Sequence, residues 1–229
     1  MNLSGKVLAV TGSDGALGRA VAVVLSAYGA RMALISRSQA AGEPAAGALP
    51  FGGVDLTLAD AARLVMERII KQAGRLDGLI NLAGGFRWER LAGGTLESWD
   101  AMYKVNLVTT VNACQAALPY LVQSPGGRIV NVGAMGAVSA AAGMGPYAAS
   151  KAGVAQLTEA LAAEMKETGV TVNAILPGTL DTPKNRLDMP QADFTRWVVP
   201  AKAAEVIAFL VSDEAAALTG ALIPVAGRA

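Results

Sequence analysis

Val7-Leu8-Ala9-Val10-Thr11-Gly12-Ser13-Asp14-Gly15-Ala16-Leu17-Gly18 is the stretch that decides the fold. Val7–Val10 is a short apolar run of the kind that fills a buried strand, and from Ala16 to about Tyr28 the residues read as a small-residue helix. Glycines between the two let the backbone turn tightly and approach a pyrophosphate. The free N–H groups and dipole of the following helix N-terminus would stabilise that anion. Any strand–helix turn can contain glycines, so the cluster alone is weak. Its place after the first strand of an alternating chain is what points to a dinucleotide.

The alternation continues along the chain. Met32–Ile35 reads as a second strand, and Gln39–Gly53 as a Gly/Ala/Pro-rich loop with a short strand near Leu49–Gly53. Leu58, Ala61, Val65 and Ile69 recur at helical spacing up to Gly74. Leu79–Leu82, Ile129–Val132, Val170–Leu176 and Leu222–Val225 are further strands. Helices are expected over Ser98–Val122, Tyr147–Thr168 and Lys202–Val211. This order predicts an α/β chain: a single doubly wound Rossmann domain over residues 1–229, with a mostly parallel seven-stranded sheet and helices on both faces. Ligands of such sheets sit beyond the carboxyl ends of the strands.

A chain of 229 residues with 53% hydrophobic residues and 26 glycines is long enough for one sizeable core. A formal net charge of +1 gives no electrostatic reason to expect nucleic acid or an anionic membrane. The chain contains no histidine, which excludes His-based triads and His-ligated metal sites; no metal is expected. Cys114 is the single cysteine, so intrachain disulfides are impossible and a reducing cytoplasm is the default. The N-terminus does not read as a signal peptide, since Lys6 leads into the first strand and its turn. Polar residues, Pro119, and Gly and Ser interrupt the uncharged stretches Lys104–Arg128 and Arg128–Lys151, which argues against membrane spans.

The end of the second strand bears on which dinucleotide is bound. NAD(H) selection uses an acidic side chain there, whereas the 2′-phosphate of NADP(H) needs an arginine. Ser36-Arg37 favours NADP(H), with NAD(H) and a solvated surface arginine as the alternatives. Asp55 stands where a carboxylate could accept a bond from an adenine amino group, or could belong, with Thr57, to the N-cap region of the next helix.

Tyr147 and Lys151 are four apart, which in a helix puts a phenol and an ammonium on one face. A nearby cation is expected to lower the phenol pKa and to suit it for proton transfer during carbonyl or imine reduction. Thirteen residues upstream of Tyr147 stands Ala134, which has no hydroxyl to offer; the nearest downstream serine is Ser139.

Together these residues resemble the short-chain dehydrogenase/reductase family from about Lys6 to Gly227. The resemblance runs through the glycine turn, with Ala16 in place of a glycine, and through Asn81-Leu82-Ala83-Gly84, with Leu82 in place of an asparagine. It continues through Asn106, the Tyr147/Lys151 pair and Pro177-Gly178 with Thr182. It implies a catalytic set of Tyr147, Lys151 and Asn106, the last supporting a water relay. It implies cofactor contacts from Gly12, Ser13, Asp14, Ala16, Leu17 and Gly18, from Ser36, Arg37, Asp55 and Leu56, and from Leu82, Ala83 and Gly84. Pro177, Gly178, Thr179, Leu180 and Thr182 would complete them. A substrate loop at about 178–200, a small-molecule substrate and a homodimer or homotetramer are implied as well.

The resemblance implies a catalytic serine where Ala134 stands, a point Ser139 would not occupy; one branch that also lacks it is the dihydropteridine reductases. Gly15–Gly18, Ala83-Gly84-Gly85-Phe86 and Thr179-Leu180-Asp181-Thr182-Pro183-Lys184-Asn185-Arg186 also look like that branch. Ala134, Phe86 and Trp197 would then line the substrate pocket, with Trp88 a further aromatic candidate. The resulting expectation is NADPH-dependent hydride transfer to a C=N or C=O substrate such as a quinonoid dihydropteridine. A generic alcohol/ketone dehydrogenase and a catalytically silent NADP(H)-binding sensor are the alternatives.

Overall fold

The computed structural model describes residues 1–39 and 47–228. The loop expected over Gln39–Gly53 therefore falls partly on residues outside that description. The elements run β1 (Val7–Thr11), α1 (Ala16–Ala27), β2 (Arg31–Ile35), β3 (Leu49–Phe51), α2 (Ala59–Ala73) and β4 (Gly78–Asn81). They continue with α3 (Leu96–Met102), a π-helical segment (Tyr103–Val108), α4 (Thr109–Leu121), β5 (Arg128–Val132), α5 (Gly145–Glu164) and β6 (Thr171–Pro177). The chain closes with α6 (Pro183–Asp188), α7 (Pro200–Leu210) and β7 (Leu222–Val225).

The seven strands form one sheet in the order β3-β2-β1-β4-β5-β6-β7. Every pairing is parallel, so the "mostly parallel" expectation tightens to an all-parallel sheet. Parallel strands need helical crossovers that cover both faces, which is why the strands read as continuous apolar runs. Alternate side chains divide between two cores. Val7, Ala9, Leu79 and Ile129 pack with α2, α4 and the end of α5. Leu8, Val10, Ile80 and Val130 pack with α1 and α7 on the opposite face.

The strand order reverses between β1 and its two neighbours, β2 and β4, and a crevice opens beyond their carboxyl ends. The single helix expected over Ser98–Val122 begins at Leu96 and is interrupted by the π-helical segment, a widened turn often found at functional sites. The hydroxyls of Thr109 and Thr110 donate to the carbonyls of Val105 and Asn106, both at 2.8 Å, and so occupy oxygens at that break.

Candidate active site

The glycine turn is drawn onto the ends of its neighbouring strands. Gly12 has φ +62°, and a Cβ there would lie 2.8 Å from the backbone nitrogen of Ala83, so a side chain is excluded on both grounds. The buried Thr11 hydroxyl accepts from the N–H groups of Leu82 (3.0 Å) and Ala83 (3.1 Å), joining β1 to β4. Toward β2, Ser13 N–H donates to the Ile35 carbonyl at 3.2 Å. Gly15 is the N-cap of α1, and Ala16, Leu17 and Gly18 form its first turn. The result is a cradle of backbone N–H groups at a helix N-terminus, which fits a pyrophosphate.

Beside it lies a cavity of about 160 Å³. Gly12, Asp14, Ser36, Arg37, Asp55, Leu56, Ala83 and Gly84 all reach it, so residues distant in sequence converge there. Thr57 also lines it, as do Ser38, Val54, Val105 and Thr109, which carry no sequence signal of their own. Asp55 accepts from the Thr57 backbone and hydroxyl at 2.9 and 2.7 Å. These bonds, with a smaller effect of Arg37, hold its carboxyl below the usual range. It is not a helix cap, because α2 starts beyond Leu58.

Tyr147 and Lys151 sit near the start of α5, beyond β5. Lys151 is buried, and its ammonium donates to the carbonyl of Val132 at 2.7 Å. Burial lowers its pKa from 10.5 to about 8. The nitrogen also faces Gly84, where a Cβ would stand 3.4 Å from it and 2.7 Å from Asn106 Oδ1. A glycine is therefore what lets Asn106 and Lys151 approach the same backbone.

The expected lowering of the Tyr147 pKa is overturned: burial raises it to about 12. Helical spacing brings the two side chains to one face but does not make them partners, because the lysine reaches back to β5. The edge-to-face contact with Phe86, at 5.0 Å between ring centroids, adds an apolar neighbour to the phenol.

Asn106, in the π-helical segment, is fully buried. Its Oδ1 accepts from Gly85 N–H at 2.9 Å, while its Nδ2 donates to the Gly85 carbonyl at 3.1 Å and to Ser150 Oγ at 2.9 Å. Ser150, which has no sequence signal pointing to it, donates in turn to the Tyr147 carbonyl at 2.7 Å. This chain links the post-β4 loop, the π-helical segment and the turn that carries the tyrosine.

Ala134 is buried just beyond β5, with only a methyl to offer; Ser139 is exposed. Trp197 is buried, and its aromatic partner among the described residues is Phe194 at 4.7 Å, so its contacts place it in the loop's own packing. Trp88 donates to the Ala142 carbonyl at 3.0 Å and covers Gly143 in the loop ahead of Tyr147. Within 178–200, the Thr182 hydroxyl caps α6 by accepting from Asn185 N–H at 3.2 Å. Asp181 takes two bonds from Arg186, at 2.6 and 2.8 Å, and Asn185 donates to the Leu180 carbonyl at 2.8 Å. Much of the segment resembling dihydropteridine reductases is therefore spent folding the loop itself. Thr179 accepts from Val198 N–H through its carbonyl at 2.8 Å, and Gly178 N–H donates to Val225 at 3.0 Å, tying the same loop to β7.

Residues 6–192 match the sequence pattern of the family described as short chain dehydrogenase. The chain belongs to that family. It is 33% identical, over 99% of its length and 98% of the relative's, to the 3-oxoacyl-(acyl-carrier-protein) reductase FabG of Thermotoga maritima. It is 30% identical to 2-(S)-hydroxypropyl-CoM dehydrogenase 3 of Xanthobacter autotrophicus, over 98% and 96% of the two chains. Among solved structures it superposes on the ligand-free aldohexose dehydrogenase of Thermoplasma acidophilum with a TM-score of 0.89. That pair shares 26% identity over 98% of this chain and 94% of the other. The protein is thus an oxidoreductase that uses a nicotinamide cofactor. The family assignment is general; the narrower likeness to dihydropteridine reductases is carried by the short motifs alone. No described helix is long and apolar enough to cross a membrane, and no group of three or more metal-ligating side chains occurs among the described residues.

Proposed function

We propose that this dehydrogenase is an NADPH-dependent reductase of a small, electronically activated C=O or C=N acceptor. The observation that carries the proposal is the buried methyl of Ala134 beside an otherwise furnished site of Tyr147, Lys151 and Asn106. In this reading the glycine turn and α1 N-terminus hold the pyrophosphate, and Ser36 and Arg37 receive the 2′-phosphate. Asp55 and Leu56 border the adenine, Leu82, Ala83 and Gly84 the adjoining ribose, and Pro177, Gly178, Thr179, Leu180 and Thr182 the nicotinamide. The cofactor supplies the hydride.

The chain supplies the proton. With its pKa raised to about 12, Tyr147 is neutral at pH 7 and donates from Oη to the acceptor oxygen or nitrogen. Lys151, held by the Val132 carbonyl beside Gly84, is a cation of the same buried site and would bind the nicotinamide ribose. Asn106 holds Gly85 and, through Ser150, the turn of Tyr147. A serine at 134 would supply one more donor to the acceptor, worth about 3 kcal/mol for an unactivated carbonyl. An acceptor already electron-poor needs it less.

A quinonoid dihydropteridine is one such acceptor, supported by Ala134 and by the aromatic edge of Phe86. The full-length likeness to a 3-oxoacyl reductase supports a ketone beside a thioester as the second reading. We further place the protein in the cytoplasm, consistent with its one buried cysteine. We also assign a homo-oligomer contact to the apolar groove of about 280 Å³ bordered by Trp99, Tyr103 and Pro146.

The test is NADPH and NADH oxidation with a quinonoid dihydropterin and with an acetoacetyl thioester, each with Tyr147→Phe in parallel. Turnover that Tyr147→Phe abolishes identifies the acceptor class. Cofactor binding with no turnover of either acceptor would sink the proposal.

A further inference from the structure

Two loops distant in sequence meet beside Tyr147, and Trp88 is where they are joined. The first follows β4 and runs toward α3; the second follows β5 and leads into α5. The Trp88 indole N–H donates to the Ala142 carbonyl at 3.0 Å, and the Glu89 N–H donates to the Gly143 carbonyl at 2.8 Å. The indole also lies against Gly143, where φ is +81° and a Cβ would overlap the ring, so the contact needs a glycine. The first loop is held on its α3 side as well. Glu89 accepts from the Thr95 N–H at 2.8 Å and from the fully buried Ser98 hydroxyl at 2.6 Å, and Ser98 accepts from Arg87 at 3.0 Å.

This clamp brackets the phenol. Phe86, on the same loop as Trp88, sets its ring edge-to-face on Tyr147 at 5.0 Å, and Gly143 lies just ahead of that tyrosine in the chain. Burial does not account for the arrangement: Trp88 is 57% exposed, Phe86 is 54% exposed, and Ala142 is exposed too. Water would satisfy the Ala142 carbonyl if the indole were removed, so the bond contributes little to folding. Its effect is on geometry, because it fixes the loop that carries Phe86 against the turn that carries Tyr147.

We propose that Trp88 is a positioning residue that acts through Phe86 to hold the Tyr147 phenol at the angle proton transfer requires. This inference rests on the reading of Tyr147 as the proton donor. Trp88→Phe keeps an aromatic ring against Gly143 and loses the indole donor, whereas Trp88→Ala removes the clamp altogether. The edge-to-face contact is directional, so a loop that slides takes the phenol's neighbour with it. A donor displaced by about 1 Å costs about 10²-fold in rate.

The experiment is steady-state kinetics of the wild type, Trp88→Phe, Trp88→Ala, Phe86→Leu and the double variant Trp88→Ala/Phe86→Leu, in ordinary and heavy water. The acceptors are the quinonoid dihydropterin and the acetoacetyl thioester, and 2′,5′-ADP binding is measured alongside. The expected result is a kcat lower by about fivefold in Trp88→Phe and about 10²-fold in Trp88→Ala, with a larger solvent isotope effect. KM for NADPH and affinity for 2′,5′-ADP should stay within about twofold of wild type, since the clamp lies away from the glycine turn. The double variant should lose no more than about twofold beyond Trp88→Ala, because both substitutions act on one contact. Losses that multiply, an unchanged isotope effect, or a raised acceptor KM with kcat unchanged would each overturn the positioning role. Should Trp88→Ala melt early, Trp88→Phe decides: a lower kcat with a larger isotope effect upholds the clamp, and wild-type values overturn it. Wild-type protein that turns over neither acceptor would instead overturn the proton-donor reading, and this inference with it.

Discussion

At the Tyr147 end of the crevice, Asn106, Ser150 and Lys151 are almost free of solvent, and their polar atoms are engaged with protein partners. At the other end, which we propose receives the adenosine, Asp14, Arg37 and Ser38 are exposed and carry mixed charge around an open cavity. The same sheet edge serves both. Buried, interlocked groups cannot be exchanged without leaving a partner unsatisfied, at about 1–3 kcal/mol each. Exposed groups can be exchanged at little cost to the fold. The first end is thus suited to fixing a reaction and the second to adjusting which cofactor enters it.

The largest test of that contrast is Tyr147→Phe. Removing the proton donor should lower kcat by about 10³-fold, within the usual range for general acid catalysis, while 2′,5′-ADP binds as before. A parallel loss of nucleotide binding would show that the two ends are coupled rather than separate.

Ala134→Ser should come next. A hydroxyl restored there should raise kcat/KM for an unactivated ketone by about 10²-fold and leave an activated acceptor nearly unchanged. An equal rise for both would disconnect the alanine from acceptor choice.

The strands were legible because parallel strands covered on both faces read as apolar runs, and β7 falls where Leu222–Val225 predicts it. The glycine turn was legible because its backbone demands particular residues, as the positive φ of Gly12 shows. The π-helical segment was not, since a change of hydrogen-bond register leaves no mark on residue type. The links Asn106–Ser150 and Asp14–Ser38 join positions far apart in the chain and belong to the tertiary structure. The Tyr147 pKa was misread for a related reason: spacing along a helix gives proximity but not depth, and depth dominates here.

Depth also gives the buried end a pH signature. Lys151 loses its proton at about 8, whereas Tyr147 keeps its own until about 12. The proposed reduction needs both groups protonated, so kcat should be level below about pH 8 and fall about tenfold per pH unit above it. Stability should move the other way. The folded-state pKa of Lys151 lies below its unfolded value of 10.5, so between about 8 and 10.5 the unfolded chain binds the extra proton and stability rises with pH. Tyr147 has the opposite sign and contributes a loss only from about pH 10 upward. Thermal melts across pH 8–10 should therefore show a rise that Lys151→Met removes. A rise that persists in the variant would assign the titration to another group.

Arg37→Ala carries the smallest expected effect, because its side chain is exposed and its attraction for a phosphate is screened. Affinity for 2′,5′-ADP should fall by about fivefold at low salt, with 5′-AMP and the melting temperature unchanged. The exposed end would then tune cofactor choice without touching the fold, as its lack of buried partners predicts. A lower melting temperature would reveal that Arg37 has a structural role through Asp55, whose carboxyl already responds to its charge. The contrast between a fixed end and an adjustable end would then have to be redrawn, with the adenosine cavity counted among the interlocked parts.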